Sequence, residues 1–488
     1  MNQKLPALSP AAMLGLIALW VLAPAGLRPL MLPDEGRYVG VAYAMLQGDA
    51  LVPTLHGVPF FHKPPLMYWI ELAAFHLFGL NDWSARLAPA LGAWLMALAL
   101  ALHLASRVQP RRVVFALLVL ATTPGFVLAG QYANLDMLVA GCVTLAIACA
   151  LRALDAEAGT HRRWTIAAWG AAALGVLAKG LIGIVLPLLI LVPWLLAQRR
   201  WRDLPRLLHP AGIALFALLA VPWFIAMERR FPGFFDYFFV EQHFRRYTAS
   251  GFNNPQPWWF FLVVVPLAML PWSAWWPTAW RAQAPSSPRG LYLWWAVAVV
   301  VFFSLPRSKL VGYVLPALMP LVALVAMSAV PGRATRVAAA RGAAICLGLA
   351  IALAWQPLDS NRDIAQALRQ RLQPGDRVVF VDAPFYDVPF YARLSAPPVV
   401  LSAWDDPSIP RRDNWRKELS DGRRFDADAA SRQLWPIARA EALRCGAGSV
   451  WLVATREPTV FADAQLVLRG RHGLLLRAEG RAAAACPP

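Results

Sequence analysis

Residues 164–206 read WTIAAWGAAALGVLAKGLIGIVLPLLILVPWLLAQRRWRDLPR, and this stretch decides the class of the protein. Two apolar runs, 164–178 and 180–197, approach the roughly 20 residues that cross a bilayer core as a helix. Lys179-Gly180 separates them at one end, and Arg199, Arg200, Arg202 and Arg206 follow at the other. Two spans joined by a tight turn, then a basic loop, is the pattern of a multi-pass membrane protein with that loop in the cytoplasm.

Composition agrees. Of 488 residues, 58% are hydrophobic and 15% charged, where soluble chains carry about 25% charged residues. This excludes a soluble cytosolic enzyme, a disordered chain and a small disulfide scaffold. The net charge of +18 reads as basic residues that fix topology or face anionic lipid. No Lys/Arg-rich arm with interleaved aromatics stands clear of the apolar segments, so nucleic acid is not an expected partner. Cys142, Cys149 and Cys346 lie in apolar segments, whereas Cys445 and Cys486 could pair in an extracytoplasmic domain.

The same pattern predicts eleven spans, near 11–32, 86–105, 113–130, 136–151, 164–178, 180–197, 210–227, 258–276, 290–305, 310–330 and 342–355. Ala23-Pro24-Ala25 resembles a signal-peptidase site, but the first helix is expected to stay in place. The even-numbered connections are short and basic, which places them in the cytoplasm. The opposite face then holds 33–85, 131–135, the Lys179-Gly180 turn, 228–257, 306–309 and everything after about 356. Within 33–85, residues 34–47 and 66–79 read as helices lying in the membrane interface. Residues 356–488 change character. An amphipathic helix at 360–373, strand-like runs at 377–382, 398–402, 449–454 and 474–477, and a helical stretch at 427–443 predict a small extracytoplasmic α/β domain. The expected organisation is therefore a transmembrane domain, 1–355, followed by a soluble domain, 356–488.

Charged side chains at membrane depth are costly and mark functional sites, and here they collect on one face. Asp34, Glu35, Arg37 and Tyr38 follow the first span. Acids there cap a helix, which accounts for one of them but not for the whole group. His62-Lys63-Pro64-Pro65 presents an imidazole and an ammonium on a rigid, extended turn. Asp136 opens the fourth span, where alone it reads as an ordinary N-terminal helix charge. Lys179, Glu241, His243, Arg246, Arg307, Lys309 and Tyr313 complete the set. Such cations suit phosphate, Lys as a point charge and Arg as a fork. The chemistry implied is handling of a phosphate-bearing amphiphile at an outer membrane interface.

LPDEGRY, GVPFFHKPPLMYW, the LAKG turn, EQHFRRY and SLPRSKLVGYVLPALMP occur in this order over roughly 30–330. Together they resemble the GT-C integral-membrane glycosyltransferases, in the branch of the lipid A aminoarabinose transferase and the wider relatives of protein O-mannosyltransferases. The resemblance implies an α-helical polytopic membrane fold in a bacterial inner membrane. It implies inverting transfer of a sugar from a polyprenyl-phosphate donor to a lipid-linked, lipopolysaccharide-type or other envelope acceptor, on the periplasmic side and without a nucleotide. Asp34 would be the acidic catalytic residue, orienting or deprotonating the acceptor, with Asp136 a second functional acid. Lys63, Arg37 and Arg246 would bind phosphate. Glu35, Tyr38, Lys179, Arg307, Lys309 and Tyr313 would complete the substrate site. Relatives carry Glu before the Lys of the KPP turn, where with the loop histidine it ligates a metal. Here that residue is His62, so a divalent, zinc-like site would rest on His62 and His243. The competing readings are a protein O-glycosyltransferase, a transporter or flippase of amphiphilic phosphates, and a non-catalytic envelope protein.

Overall fold

A computed structural model of the protein describes residues 8–157, 159–245, 253–277, 288–355, 359–446 and 448–481. Ser9 opens the first helix, α1 (Pro10–Leu22). Its hydroxyl accepts from the Ala12 amide at 3.1 Å, and Pro10 fills a first-turn position that needs no amide. Next come α2 (Asp34–Gln47), a hairpin of β1 (Thr54–Leu55) and β2 (Val58–Pro59), and α3 (Leu66–Phe78). The helical bundle continues with α4 (Leu87–Ala105), α5 (Pro110–Ala121), α6 (Pro124–Gly130), α7 (Leu135–Asp155) and α8 (His161–Lys179). After these come α9 (Ile182–Ala197), α10 (Pro210–Arg230), α11 (Phe260–Ala268), α12 (Pro288–Ser304), α13 (Leu318–Ser328) and α14 (Arg333–Trp355).

At the centre of the bundle α4 and α7 meet backbone to backbone. A Cβ added to Gly141 would overlap the carbonyl of Gly92, and one on Gly92 would overlap that of Met137. Between helices surrounded by lipid, van der Waals contact is the main attraction, so small residues set this closeness.

Five helical segments among the described residues are long and apolar enough to cross a membrane: Ser84–Ala105, Leu135–Asp155, Pro210–Arg230, Val311–Ser328 and Arg333–Trp355. The chain is a multi-pass membrane protein, and the expected eleven spans are not all continuous helices. The run at 113–130 is bent by 69° between α5 and α6, where Pro124 opens the second piece. The run at 258–276 breaks into α11 and a 3₁₀ turn at Trp272–Trp275. Pro10–Gly26, Ile182–Ala197 and Arg289–Ser304 are apolar but short.

The helix at 34–47 departs from the interfacial reading. Val39, Val41, Ala42, Tyr43 and Met45 are all buried, because α2 lies beneath the C-terminal part of the chain. That part contains α15 (Arg362–Arg371), β3 (Arg377–Val381), α16 (Val388–Ala392), β4 (Val399–Ser402), α17 (Trp415–Asp421) and α18 (Ala427–Gln433). It closes with β5 (Leu434–Pro436), β6 (Ser449–Ala454), β7 (Gln465–Arg469) and β8 (Leu474–Glu479). The sheet order is β5-β4-β3-β6-β8-β7, with the first four strands parallel and β8 and β7 antiparallel. The helix expected at 427–443 is interrupted by β5, whose Leu434 pairs with Val400. Local helical character yields there to an available strand edge.

The sheet's carboxyl end faces α2. The residues after β3 run so close that a Cβ on Gly40 would lie 2.8 Å from the Tyr386 carbonyl. Asp387 accepts from Ser360 Oγ and from Asn361 N and Nδ2 at 2.7–2.9 Å. Farther along, Tyr43 donates to the Leu394 carbonyl at 3.0 Å, and Arg362 pairs with Asp82 at 3.0 Å. Cys445 is disulfide-bonded, and Cys486 lies outside the described residues.

Candidate active site

Asp34 is the first residue of α2, and Arg37, one turn on, donates to its carboxylate. The same guanidinium reaches Glu418 on α17 and lies 5.2 Å from the ring centre of Tyr38. Asn134 connects Asp34 to α7. Its Nδ2 is 3.4 Å from Asp34 Oδ2, and its Oδ1 caps α7 by accepting from the Asp136 amide at 2.9 Å. Lys179, at the end of α8, donates to Asp136 and holds its ammonium 4.5 Å from the Tyr313 ring centre. Gly312 permits this approach, since a Cβ there would overlap the Asp136 carboxylate.

Of these groups, Asp136, Lys179, Gly312 and Tyr313 line a cavity of about 400 Å³. Lys63, Asp136, Lys179, Gln242, His243 and Tyr313 supply its polar lining. Val139, Val143, Ile182, Val185, Leu186, Phe302 and Phe303 continue it along the faces of α7, α9 and α12. A cationic mouth on an apolar channel suits an amphiphile with an anionic head.

Residues 13–238 match the family model described as dolichyl-phosphate-mannose-protein mannosyltransferase. The chain is 33% identical over 326 residues to undecaprenyl phosphate-alpha-4-amino-4-deoxy-L-arabinose arabinosyl transferase 2 of Pseudomonas fluorescens, a match covering 64% of this chain and 58% of that protein. The corresponding transferase of Pseudomonas aeruginosa is 35% identical over 317 residues, covering 63% and 57%. The matched stretch thus spans under two thirds of these relatives' own length. In three dimensions the chain superposes on the crystal structure of ArnT from Cupriavidus metallidurans bound to undecaprenyl phosphate. The TM-score is 0.82 at 24% identity, covering 96% of this chain and 97% of that one. The chain has the GT-C, ArnT-like fold.

Within this ArnT-like fold, Lys63, Asp136, Lys179 and Tyr313 line the cavity, and Asp34, with Arg37 and Tyr38 beside it, is joined to Asp136 through Asn134. Other expected site residues fall elsewhere. Glu35 is fully buried and points away from the cavity. Its carboxylate takes Arg86 at 2.8 and 2.9 Å, Arg28, and the amides of Met31 and Ala133 at 2.8 Å each. Burial opposes its charge, but Arg86 and Arg28 outweigh burial and hold its pKa at about 2. Glu35 is a structural node, not a substrate ligand. Arg307 is exposed and outside the cavity lining. Lys309 is buried and donates to the Gln256 carbonyl at 2.9 Å, tying down the segment before α11. Arg246 lies outside the described residues.

The donor set does not fit the expected metal. His243 Nδ1 donates to the Phe238 carbonyl at 2.6 Å, and its Nε2 faces the Leu181 amide at 3.4 Å. Its ring packs so tightly on Gly180 (φ +86°) that a Cβ there would overlap Nε2. His243 therefore anchors the Lys179-Gly180 turn. His62 instead faces Asp421, 3.9 Å away. Among the described residues no group of three His, Cys, Asp or Glu could hold a metal ion.

Sequence reasoning missed Glu418, which α17 brings to Arg37 from 381 residues away, and Lys417 and Asp421, which reach Glu241 and Tyr237 from 176 and 184 residues away. They read as ordinary surface charges on an amphipathic helix, and nothing local distinguishes them.

Proposed function

We propose that this protein is an inverting glycosyltransferase acting at the periplasmic face of a bacterial inner membrane. It moves a sugar from a polyprenyl-phosphate donor to a lipid-linked or lipopolysaccharide-type acceptor. The observation that carries the reading is the cavity, whose apolar channel ends in Lys63 and Lys179 beside the Asp34–Asn134–Asp136 constellation. The names of the similar transferases make an amino-pentose on undecaprenyl phosphate the first donor to test.

In the reaction an acceptor oxygen attacks the anomeric carbon from the face opposite the phosphate. The carbon–oxygen bond to phosphate breaks, and polyprenyl phosphate leaves with the bonding pair. Lys63 and Lys179 offset the charge gathering on the leaving phosphate. Asp136, by pairing with Lys179, holds that ammonium at the cavity wall before the donor arrives. Asp34 orients the acceptor and takes its proton if the acceptor is a hydroxyl; a phosphate acceptor needs little base. Arg37 and Asn134 fix the direction of the Asp34 carboxylate. The donor is already activated, so no nucleotide is required.

The test is mass spectrometry of envelope glycolipids from cells with the protein, without it, and with Asp34→Asn. A sugar mass that vanishes identically in the last two, while purified Asp34→Asn protein still binds undecaprenyl phosphate, is the expected result. Unchanged glycolipids with altered glycoproteins would move the acceptor to protein. No change in either would favour transport.

A further inference from the structure

Lys417 belongs to the C-terminal sheet region, and its ammonium lies between Asp421, one turn on along α17, and Glu241, of the segment that leads into the cavity-lining Gln242 and His243. It is 3.3 Å from Glu241 Oε1, and 2.8 and 3.2 Å from the two oxygens of Asp421. Asp421 also accepts from Tyr237 Oη at 2.9 Å and faces His62 Nε2 at 3.9 Å. Side-chain exposure is 13% for Lys417, 16% for Glu241, and 9% each for Asp421 and His62. Glu241 immediately precedes Gln242 and His243, and His62 immediately precedes Lys63; Gln242, His243 and Lys63 all line the cavity.

We infer that Lys417 is a positioning residue: it ties α17 to Glu241, next to the cavity-lining Gln242 and His243, and holds Asp421 facing His62, next to the cavity-lining Lys63, and so sets the place of these groups against the donor phosphate. This rests on the reading of the cavity as a polyprenyl-phosphate site. Burying three charged groups is costly unless each is paired, and the region is docked elsewhere without them. Tyr43 with Leu394, Asp387 with Asn361, and Arg362 with Asp82 all lie away from the mouth. The ion triad is found where it restrains the cavity.

The experiment measures binding of undecaprenyl phosphate to purified full-length protein by tryptophan fluorescence, together with the melting temperature. Lys417→Met is expected to weaken binding about tenfold, the effect typical of a residue acting through a network, with little change in melting temperature. Lys417→Arg, which keeps a cation able to bridge two carboxylates, is expected to restore most of it. Lys417→Met and Glu241→Gln both remove the Lys417–Glu241 tie, and Glu241→Gln also weakens the Arg424–Glu241 pair at 3.0 Å, so their effects on binding are expected to combine to less than their sum. Wild-type binding in Lys417→Met, with binding weakened in Lys63→Met, would overturn the positioning role. Failure of the wild type to bind, or wild-type binding in Lys63→Met, would overturn the reading of the cavity. Should Lys417→Met fail to fold, Glu241→Gln alone carries the test, and wild-type binding in that variant overturns the role.

Discussion

Asp34 and Glu35 are neighbours of like charge with opposite duties. Asp34 is partly exposed and faces Arg37 and Asn134, while Glu35 turns inward to two arginines and two amides. Glu35→Gln keeps the shape but leaves Arg86 buried without its counter-charge, so a loss of about 3–5 kcal/mol is expected. Thermal melting of detergent-purified protein measures it. The folded pKa of about 2 lies below the ordinary 4.5. The stabilisation is thus fully present above about pH 4.5 and is lost as pH falls toward about 2. The gap between wild type and Glu35→Gln should therefore be constant from pH 7 to 5 and close only in strong acid. Glu71 on α3 provides the contrast. It is fully buried and its carboxylate oxygens have no hydrogen-bond partner among the described residues, with burial first and Glu35 second pushing its pKa well up. Burial without a counter-charge favours its neutral form, so Glu71→Gln is expected to change the melting temperature far less. The sequence marked both Asp34 and Glu35 as suspects. Their different roles depend on which way each side chain leaves the first turn of α2, and adjacent helical positions lie about 100° apart.

At the scale of elements, the crossing of α4 and α7 carries the bundle. Gly92 and Gly141 let two backbones touch, and a side chain at either must push them apart. Gly141→Val is expected to cost about 3 kcal/mol, the upper range for overpacking a tight core. Gly348, also helical but with open space where its Cβ would go, is the control: Gly348→Ala is expected to be neutral or slightly stabilising. Comparing the two melting temperatures separates a glycine that a contact demands from one that none does. The apolar runs were legible in the sequence because lipid imposes composition over a whole helix. The bend between α5 and α6 was not, since a helix that breaks inside protein keeps the same composition. The interruption of the helix at 427–443 by β5 was equally hidden, because pairing with β4 is a long-range event.

For the whole molecule the governing feature is the seat of the C-terminal region on α2 and the β1–β2 hairpin. His56, at the hairpin tip, stacks on Tyr386 and meets the edge of Phe380, with ring centres 6.0 and 5.3 Å away. Burial lowers its pKa to about 4, against an ordinary 6.5. As pH falls from 6.5 toward 4 the unfolded chain takes up a proton that the docked imidazole refuses, so stability declines through that window. His56→Phe is expected to flatten this part of the melting-temperature profile, and a profile parallel to wild type would count against it. The sequence by itself determined the membrane class and singled out Lys63, Asp136, Lys179 and Tyr313, which line the cavity. Each of these is written in local composition or in short motifs that lie near the ends of spans. Only the tertiary structure decided that Glu35 is buried among arginines, that His243 packs on the Lys179-Gly180 turn, and that α17 brings Glu418 to Arg37 and Lys417 to Glu241. Those outcomes depend on which groups remain unpaired once distant segments have packed, and that pairing leaves no trace in the local sequence.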